Sequence, residues 1–450
     1  MEAVADPSTL PAPHTPSPPE LPLLGSLLPL ARDPLGFVVD LARTHGDVVH
    51  YRVGPQRFWL VSDPAGIEEV LVGLRAVTHK DEVTHGLSRL LGQGLLTSED
   101  PQWRQHRKLA APSFQPRHLA GYAEAMVDAA LEDPLADGAR DVHEDMTRVT
   151  MAIVLRTLFG ADAADGARVG AALGSFMDAF EQEIRSFRRL LPPRVPTRGR
   201  RRIAAARAEI VAAVDPIVAR RRALPEPGDD LLGRLLAARD EDGAGMSDAQ
   251  LRDEAVTLFL AGHETTALTL SYALWLLAAH PEVQDRLAEE RATVLGERRA
   301  GAGDVGALAW HGAVIREAMR LYPPAWLIGR TPTVDVTVQG HPVPAGGAIL
   351  VSPWVTHRDP RFWRAPEAFR PERWLGDETR DLPRFAFFPF GGGPRVCIGN
   401  HFAQMEAVLV LATWLAQRRV AAVPGATIEL MPAVTLRPRH GVRVDVQKIG

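Results

Sequence analysis

Apolar positions follow the spacing of helices over most of the chain. From residue 65 to residue 330 they recur mainly every three or four residues, which predicts a mostly helical region. The clearest helix begins at Ser247-Asp248, where the serine can cap it, and continues to His280, just before Pro281. Its predicted length of about 33 residues corresponds to roughly 50 Å. Because this helix is apolar on most sides, we expect it to cross the middle of the molecule.

Two shorter regions have the composition of strands. The segment DVVHYRVGPQRFWLVSDP (47–64) predicts a hairpin around Gly54-Pro55, and a second strand-rich region is predicted at 334–354. Prolines and aromatic pairs predict loops from 357 to 395, after which apolar residues spaced by three and four predict a helix (Ile398, Phe402, Met405, Leu409). Neither repeats, a linker nor the strand–helix alternation of a parallel sheet is evident. The pattern therefore predicts a flexible proline-rich lead-in (1–20) and a single mainly α domain with a small β region, of α+β class (21–450).

Composition narrows the class of protein. A chain of 450 residues, 46% of them hydrophobic, can bury a large core, and its net charge of −4 gives no indication of a nucleic-acid partner. A single cysteine cannot form an internal disulfide, so we expect a reducing, cytoplasmic location. The acidic, proline-rich first residues do not resemble a secretory signal, and the apolar run 21–30 is too short to span a bilayer. We therefore expect no membrane anchor.

The single cysteine, Cys397, lies in the segment FFPFGGGPRVCIGN (387–400). A lone cysteine is most often a small buried hydrophobic residue, but these neighbours suggest another use. The start of the following helix and the nearby Arg395 can stabilise a thiolate, and the surrounding glycines leave room for a flat ligand. A thiolate beside a flat ligand indicates haem iron, for which cysteinate is the electron-donating ligand in oxygen activation.

The same segment carries a resemblance to a known family. Phe390-x-x-Gly393-x-Arg395-x-Cys397-x-Gly399 resembles, position for position, the haem-ligand signature of the cytochrome P450 monooxygenases. The resemblance implies haem b (iron protoporphyrin IX) bound through Cys397, between the long helix and the cysteine helix of a triangular, helix-rich prism. It also implies haem contacts from other residues of the two helix regions (Phe390, Gly391, Gly399, Ala261).

A second motif, AGHETT (261–266), lies in the middle of the predicted long helix. It is not a zinc-protease HExxH motif, since Ala267 stands where the second histidine would be. Glu264 could be an ordinary solvated helix charge, but the flanking segments are too apolar for an exposed face. The stretch resembles the oxygen-activating kink of the same family. That resemblance implies that Thr265 positions O₂ and a water molecule, and that Glu264 supplies protons.

Two further motifs are weak alone and gain meaning from the resemblance. Glu317-Ala-Met-Arg320 is by default an exposed ion pair, but it resembles the family's Glu-x-x-Arg helix, and PERW (371–374) resembles the segment whose Arg373 completes a buried Glu–Arg–Arg network. That network would hold the loop that carries Cys397.

The segment QWRQHRKLAAPSF (102–114) could equally be a basic surface helix. The resemblance makes Trp103 and Arg107, one helical turn apart, ligands of the haem propionates, together with Arg330 and Arg395. Arg104 and Lys108 would then face outward toward a separate electron donor of ferredoxin or flavodoxin type.

The implied reaction inserts one oxygen atom from O₂ into a C–H bond of a small molecule. We expect a monomer acting on a lipophilic substrate such as a fatty acid, terpenoid or steroid. Its pocket would draw on the range 431–436 and on apolar residues that a helix core would also contain (Phe176, Phe180, Phe187, Leu258, Trp326, Leu327, Ile328). Arg185 and Arg188 could hold a carboxylate, although surface charge is the more common explanation.

Two other functions remain open. One is a haem-thiolate peroxygenase or isomerase, which needs no external electrons; the other is a non-catalytic haem carrier or gas sensor. The presence of both Glu264 and Thr265 favours the monooxygenase, because proton delivery to O₂ is otherwise unnecessary. Replacing Thr265 with Ala should uncouple electron consumption from product formation only in a monooxygenase.

Overall fold

The structure, a computed structural model, describes residues 15–161, 163–185, 195, 197–226, 228, 230–239 and 243–449. Most of the predicted lead-in (1–14), with Phe187, Arg188 and the side chain of Arg185, therefore lies outside the described residues. Helices dominate the described chain, as predicted. They are α1 (Leu27–Arg32), α2 (Pro34–His45), α3 (Pro64–Leu71), α4 (Glu82–Gly86), α5 (Ser88–Leu91), α6 (Gln102–Ala110), α7 (Pro116–Glu132), α8 (Val142–Val154), α9 (Ala163–Arg185), α10 (Arg198–Arg222), α11 (Leu231–Ala237), α12 (Asp248–Ala278), α13 (Pro281–Val294), α14 (Ala309–Leu321), α15 (Pro353–Thr356) and α16 (Asn400–Trp414).

The strands are short and form small sheets. They are β1 (Val48–Val53), β2 (Gln56–Val61), β3 (Thr78–Lys80), β4 (Gly138–Asp141), β5 (Ile328–Pro332), β6 (Val336–Val338), β7 (His341–Val343), β8 (Ala348–Val351), β9 (Arg418–Ala422), β10 (Leu430–Pro432), β11 (Leu436–Pro438) and β12 (Arg443–Lys448). The strands β3 and β4 interrupt the region that the pattern predicted as mostly helical.

The chain divides into two compact units. Unit 1 comprises the residues up to Glu82, Trp326–Pro366 and Leu382–Val396; unit 2 comprises Val83–Ala325, Glu367–Asp381 and the residues from Cys397 onward. The single domain predicted for 21–450 stays a prediction.

Unit 1 is built on a five-stranded sheet in the order β1-β2-β8-β5-β3. The predicted hairpin is confirmed: β1 and β2 pair antiparallel, with Val48 opposite Val61. Strand β2 also pairs parallel to β8, which the pattern did not indicate, because the two strands are far apart in sequence. The sheet packs on α3 through a core of aliphatic and aromatic side chains (Trp59, Val61, Ile67, Ile349, Val351, Phe385).

Unit 2 is organised around α12, which is buried over most of its length, as predicted. Its start is fixed by a capping box. The backbone N–H of Gln250 donates to the Ser247 hydroxyl oxygen (3.3 Å), and the backbone N–H of Ser247 donates to the side-chain oxygen of Gln250 (2.8 Å). It ends at Ala278, shortly before Pro281. The helices α8, α10, α14 and α16 pack against it, and the small sheets β4-β12-β9 and β10-β11 complete the unit. Among the described helices, none combines the length and apolar character needed to cross a bilayer.

Candidate active site

Cys397 opens the final segment of unit 2, three residues before α16 begins. Its side chain is exposed, although many protein atoms surround it. Burial raises the pKa of the Cys397 thiol, whereas a hydrogen bond from the Gly399 amide and the positive charge of Arg107 act in the opposite direction. The amide comes from the N-cap residue of α16, which is the helix-terminus effect predicted from the sequence.

The glycines before Cys397 serve the fold of their loop more than the sequence suggested. A Cβ atom on Gly392 would lie 2.2 Å from the Phe385 ring, and one on Gly393 would lie 2.3 Å from the Leu71 carbonyl oxygen. Gly393 also has φ +67°, which favours glycine. Only Gly391 and Gly399 fit the prediction of open space, since a Cβ atom on either would meet no atom closer than 3.5 Å.

Helix α6 brings a guanidinium toward the cysteine. Trp103 is buried, and the Arg107 guanidinium carbon lies 5.7 Å from the centre of the Trp103 indole. Arg107 is close enough to Cys397 to affect the pKa of its thiol. The exposed Arg104 and Lys108 lie elsewhere around the same helix.

Helix α12 has an accessible strip in the middle of its buried length. Ala261 is exposed, and Gly262 and Thr265 are half-buried, although the helix is buried before this stretch (255–260) and after it (266–274). The Thr265 hydroxyl donates to the Ala261 carbonyl oxygen (2.8 Å). Thr266 and Thr269 make the same kind of bond, and α12 continues through this stretch without interruption, so the kink that the AGHETT resemblance implies stays a prediction.

Glu264, beside this strip, is buried in an ion pair. Its Oε1 atom accepts hydrogen bonds from the Thr435 hydroxyl (2.5 Å) and from Nε of Arg437 (2.7 Å), on and beside β11. Burial acts to raise the pKa of Glu264, but the charge and hydrogen bond of Arg437 outweigh it, so the pKa lies below its ordinary value. In this structure Glu264 is therefore a carboxylate at neutral pH.

The structure brings the Glu317, Arg320 and Arg373 side chains together in unit 2. All three are fully buried: Glu317 receives two bonds from Arg320 (2.8 and 2.9 Å) and one from Nε of Arg373 (3.1 Å). The Trp374 indole N–H and the Arg370 backbone N–H also donate to Glu317, at 2.9 and 3.0 Å. Five donors on one carboxyl group satisfy its hydrogen-bonding capacity and explain how it can be fully buried.

The remaining predicted haem residues belong to unit 1. Arg330 lies within β5, which begins before the strand-rich region predicted at 334–354. Its Nη1 donates to the Gly329 carbonyl oxygen (2.7 Å). Arg395 ends a short 3₁₀ turn and Phe390 is half-buried. Their contacts with haem stay predictions.

The predicted substrate residues are divided between the units. In unit 2, Leu258 is buried on α12, and Phe176 and Phe180 are buried on α9 with their rings stacked 5.5 Å apart. In unit 1, Trp326 is buried, and Leu327 and Ile328 are half-buried. The stacking of Phe176 on Phe180 is also what a helix core would show, so their role in substrate binding stays a prediction.

Sequence reasoning missed the partners of the buried acids. Thr435 and Arg437 lie far from Glu264 in sequence, and Glu406 of α16 is a fully buried carboxyl group beside Thr266. Glu254 of α12 is likewise buried against His106 of α6 (2.7 Å). The short segment Thr435-Leu436-Arg437 has no local sequence feature that would predict its contact with Glu264.

The residues of unit 2 fit a haem-thiolate group. A lone thiol surrounded by protein atoms, an N-cap amide and a guanidinium acting on its sulfur form a donor set suited to a cysteinate ligand. Cys397 would hold the iron and Trp103 and Arg107 the propionates. The accessible Ala261–Thr265 strip supplies the small residues that a flat macrocycle needs.

Comparisons with known proteins identify the family of the chain. The family described as Cytochrome P450 matches residues 15–442. Cyclooctatin synthase of Streptomyces melanosporofaciens is 36% identical, covering 97% of this chain and 96% of its own. Cyclooctat-9-en-7-ol 5-monooxygenase of the same organism is also 36% identical (92% and 90%), and pentalenene oxygenase of Streptomyces avermitilis is 33% identical (94% and 95%). The chain therefore belongs to the cytochrome P450 family of monooxygenases.

Proposed function

We propose that this monooxygenase hydroxylates a terpenoid-like, lipophilic small molecule. The overall change is RH + O₂ + two electrons + two protons → ROH + H₂O. The observation that carries the reaction is the accessible Ala261–Thr265 strip with Glu264 beside it, in the same unit as the exposed Cys397. Haem b, when bound, would supply the chemistry of O₂ activation, for which cysteinate is the electron-donating ligand.

The roles of the chain's own residues follow from their contacts. The Thr265 hydroxyl is held by the Ala261 carbonyl oxygen and can accept a hydrogen bond from a water molecule in the strip. Glu264 is the adjacent group that can gain and release a proton. Arg107 places a positive charge near Cys397, which favours the thiolate.

The substrate class rests on the relatives. Their names refer to pentalenene, an alkene, and to cyclooctat-9-en-7-ol, an unsaturated cyclic alcohol. The buried apolar residues of α9 and α12 (Phe176, Phe180, Leu258) would suit such a skeleton and offer it few hydrogen bonds. We accordingly prefer a terpenoid over the fatty acid and steroid alternatives.

The supply of electrons is also part of the proposal. P450 monooxygenases use a redox partner and O₂, and we propose a ferredoxin- or flavodoxin-type protein that docks near Arg104 and Lys108 on a monomeric, cytoplasmic enzyme. The rivals, a peroxygenase or a sensor, gain no specific support from the geometry, since a carboxylate and a threonine lie side by side at the strip.

The first experiment is the absorption spectrum of the reduced protein with carbon monoxide, compared with the Cys397→Ser variant. Thiolate ligation gives a strongly red-shifted haem band in the parent that is lost in the variant. An ordinary imidazole-type band in both proteins would overturn the assignment of Cys397.

The substrate class is tested by titrating the ferric enzyme with a panel of compounds and following the spin state of the haem. We expect cyclic terpene hydrocarbons and alcohols to shift the spin state at lower concentration than fatty acids of similar carbon number. A response limited to polar compounds would refute the lipophilic substrate.

A further inference from the structure

The carboxylate of Glu264 faces a β-hairpin that the sequence associated only with the substrate pocket. The hairpin is β10, β11 and the turn between them (430–438), and two of its side chains, Thr435 and Arg437, bind the same oxygen atom of Glu264. We infer that Arg437, with Thr435, is a positioning residue that holds Glu264 against the hairpin and so restrains proton delivery until the hairpin moves. This inference rests on the proposed role of Glu264 as proton donor.

Among the charged and titratable groups near Glu264, Arg437 is the one that determines its ionisation. His263 is the preceding residue of α12, and His143 at the start of α8 is near enough to feel the charge of Glu264. Burial lowers the pKa of both histidines, so both are neutral at neutral pH. Arg437 therefore provides the positive charge that keeps Glu264 ionised, and an ionised carboxylate has no proton to give.

The hairpin is anchored to its surroundings at Leu436 and is half-buried at its tip. Leu436 is fully buried; its carbonyl oxygen accepts a bond from the Tyr272 hydroxyl of α12 (2.8 Å), and its N–H donates to the Pro324 carbonyl oxygen (2.9 Å). Residues 431–435, by contrast, are half-buried. A molecule that presses on this tip would displace Thr435 and Arg437 more readily than Leu436.

The chemical consequence is that the ion pair slows uncoupled turnover, in which O₂ is reduced without oxidation of a substrate. Without substrate, electrons from the redox partner and two protons convert O₂ to H₂O₂, so that the reaction is O₂ + two electrons + two protons → H₂O₂. While Arg437 holds Glu264 as a carboxylate, this proton supply is slow. Substrate at the hairpin tip would weaken the ion pair, allow Glu264 to take up a proton, and direct the reducing equivalents to ROH and H₂O.

The test compares Arg437→Gln with Arg439→Gln in the haem-loaded enzyme. Arg439 lies two residues further along the chain, is half-exposed and pairs with Glu429 (2.8 Å), so it is a matched control. We expect Arg437→Gln to raise the pKa of Glu264, because burial then acts without the opposing charge of Arg437. Arg437→Lys keeps the charge and should behave like the parent.

Two measurements distinguish the loss of the Arg437–Glu264 ion pair from general structural damage to the variant. The first is the infrared carbonyl band of a protonated carboxylic acid in the resting, substrate-free enzyme, assigned by its loss when Glu264→Gln is added. The second is substrate-free consumption of electrons from the redox partner, which we expect to increase several-fold in Arg437→Gln and to fall again in Arg437→Gln/Glu264→Gln. A gain of this kind is not expected from a damaged enzyme.

The inference is overturned if Arg437→Gln and Arg439→Gln give the same infrared band and the same consumption. If Arg437→Gln does not retain haem, Thr435→Val removes only one of the two bonds and must show the same changes in smaller size; an unchanged Thr435→Val then overturns it. Should the parent show neither a thiolate spectrum nor electron consumption, the proposed function fails. The infrared comparison, which needs no turnover, still decides in that case whether Arg437 holds Glu264 as a carboxylate.

Discussion

At the scale of single residues, the buried carboxyl groups of unit 2 are of two kinds. Glu317 is surrounded by hydrogen-bond donors, two of its partners being the arginines Arg320 and Arg373. Glu406 is fully buried, and neither of its oxygens makes a hydrogen bond of ordinary geometry to the described residues. Burial raises the pKa of Glu406 well above its ordinary value, although the nearby Thr266 hydroxyl lowers it slightly. Glu317 stabilises the fold through its arginine partners. Burial of Glu406 is compatible with the fold only while this carboxyl group is protonated.

Glu317→Gln should be strongly destabilising, because it leaves the Arg320 and Arg373 guanidiniums buried beside a neutral amide. We expect a loss of about 3–5 kcal/mol in the free energy of unfolding. Urea denaturation of the parent and the variant measures it. Glu378→Gln is the control, since Glu378 pairs with the same Arg373 but is partly exposed, and should cost about 1 kcal/mol or less. Equal losses in the two variants would contradict the assignment.

Glu406→Gln should change how stability depends on pH. The folded-state pKa of Glu406 is raised, so its stabilising contribution is complete below the unfolded value, near 4.5, and is lost as pH rises toward the folded value. Over that window the parent should lose about 1.4 kcal/mol per pH unit relative to Glu406→Gln. Denaturation of both proteins at about pH 5 and about pH 7 provides the comparison. A constant difference between them at the two pH values would show that Glu406 is not protonated in the fold.

At the scale of elements, helix caps and turn residues in the sequence predicted those helices and hairpins whose ends are set by neighbouring residues. The capping box at Ser247 and the stop before Pro281 fix α12, and Gly54-Pro55 fixes the β1–β2 hairpin, so both were predictable from short stretches. The parallel pairing of β2 with β8 and the contact of Arg437 with Glu264 join distant parts of the chain. Neither has a local signature, because register and burial of those segments depend on the assembled core.

The loop before Cys397 offers a test of what its glycines do. Gly391 and Gly393 both have positive φ, so alanine at either costs roughly 1–2 kcal/mol in backbone strain. At Gly393 the added Cβ would also meet the Leu71 carbonyl oxygen at 2.3 Å, whereas at Gly391 the nearest atom is at 3.5 Å. We therefore expect Gly393→Ala to lower the melting temperature clearly more than Gly391→Ala. Equal melting temperatures would mean that the loop can move away from α3 without cost.

At the scale of the whole molecule, charge is close to balanced, with a net value of −4, so attraction to an electron donor has to come from a local group. Helix α6 provides such a group, because Arg104 and Lys108 are exposed one turn apart while Trp103 is buried in the protein. The Arg104 side chain is 70% exposed and pairs with Asp100 (2.8 Å), an arrangement that a partner's carboxylates can replace.

Replacing Arg104 and Lys108 with Glu should therefore weaken association with an acidic ferredoxin or flavodoxin. We expect the KM for the partner to rise about tenfold at low salt while kcat at saturating partner changes little, because rim charges act mainly on encounter. The effect should shrink as salt is raised, since screening shortens the range of exposed charges to about 10 Å at 0.1 M. Arg286→Glu on α13, similarly exposed and paired with Glu289, is the control and should leave the KM unchanged. If both substitutions raise the KM equally, net charge and not α6 governs docking; if kcat falls with an unchanged KM, Arg104 and Lys108 act on electron transfer after docking.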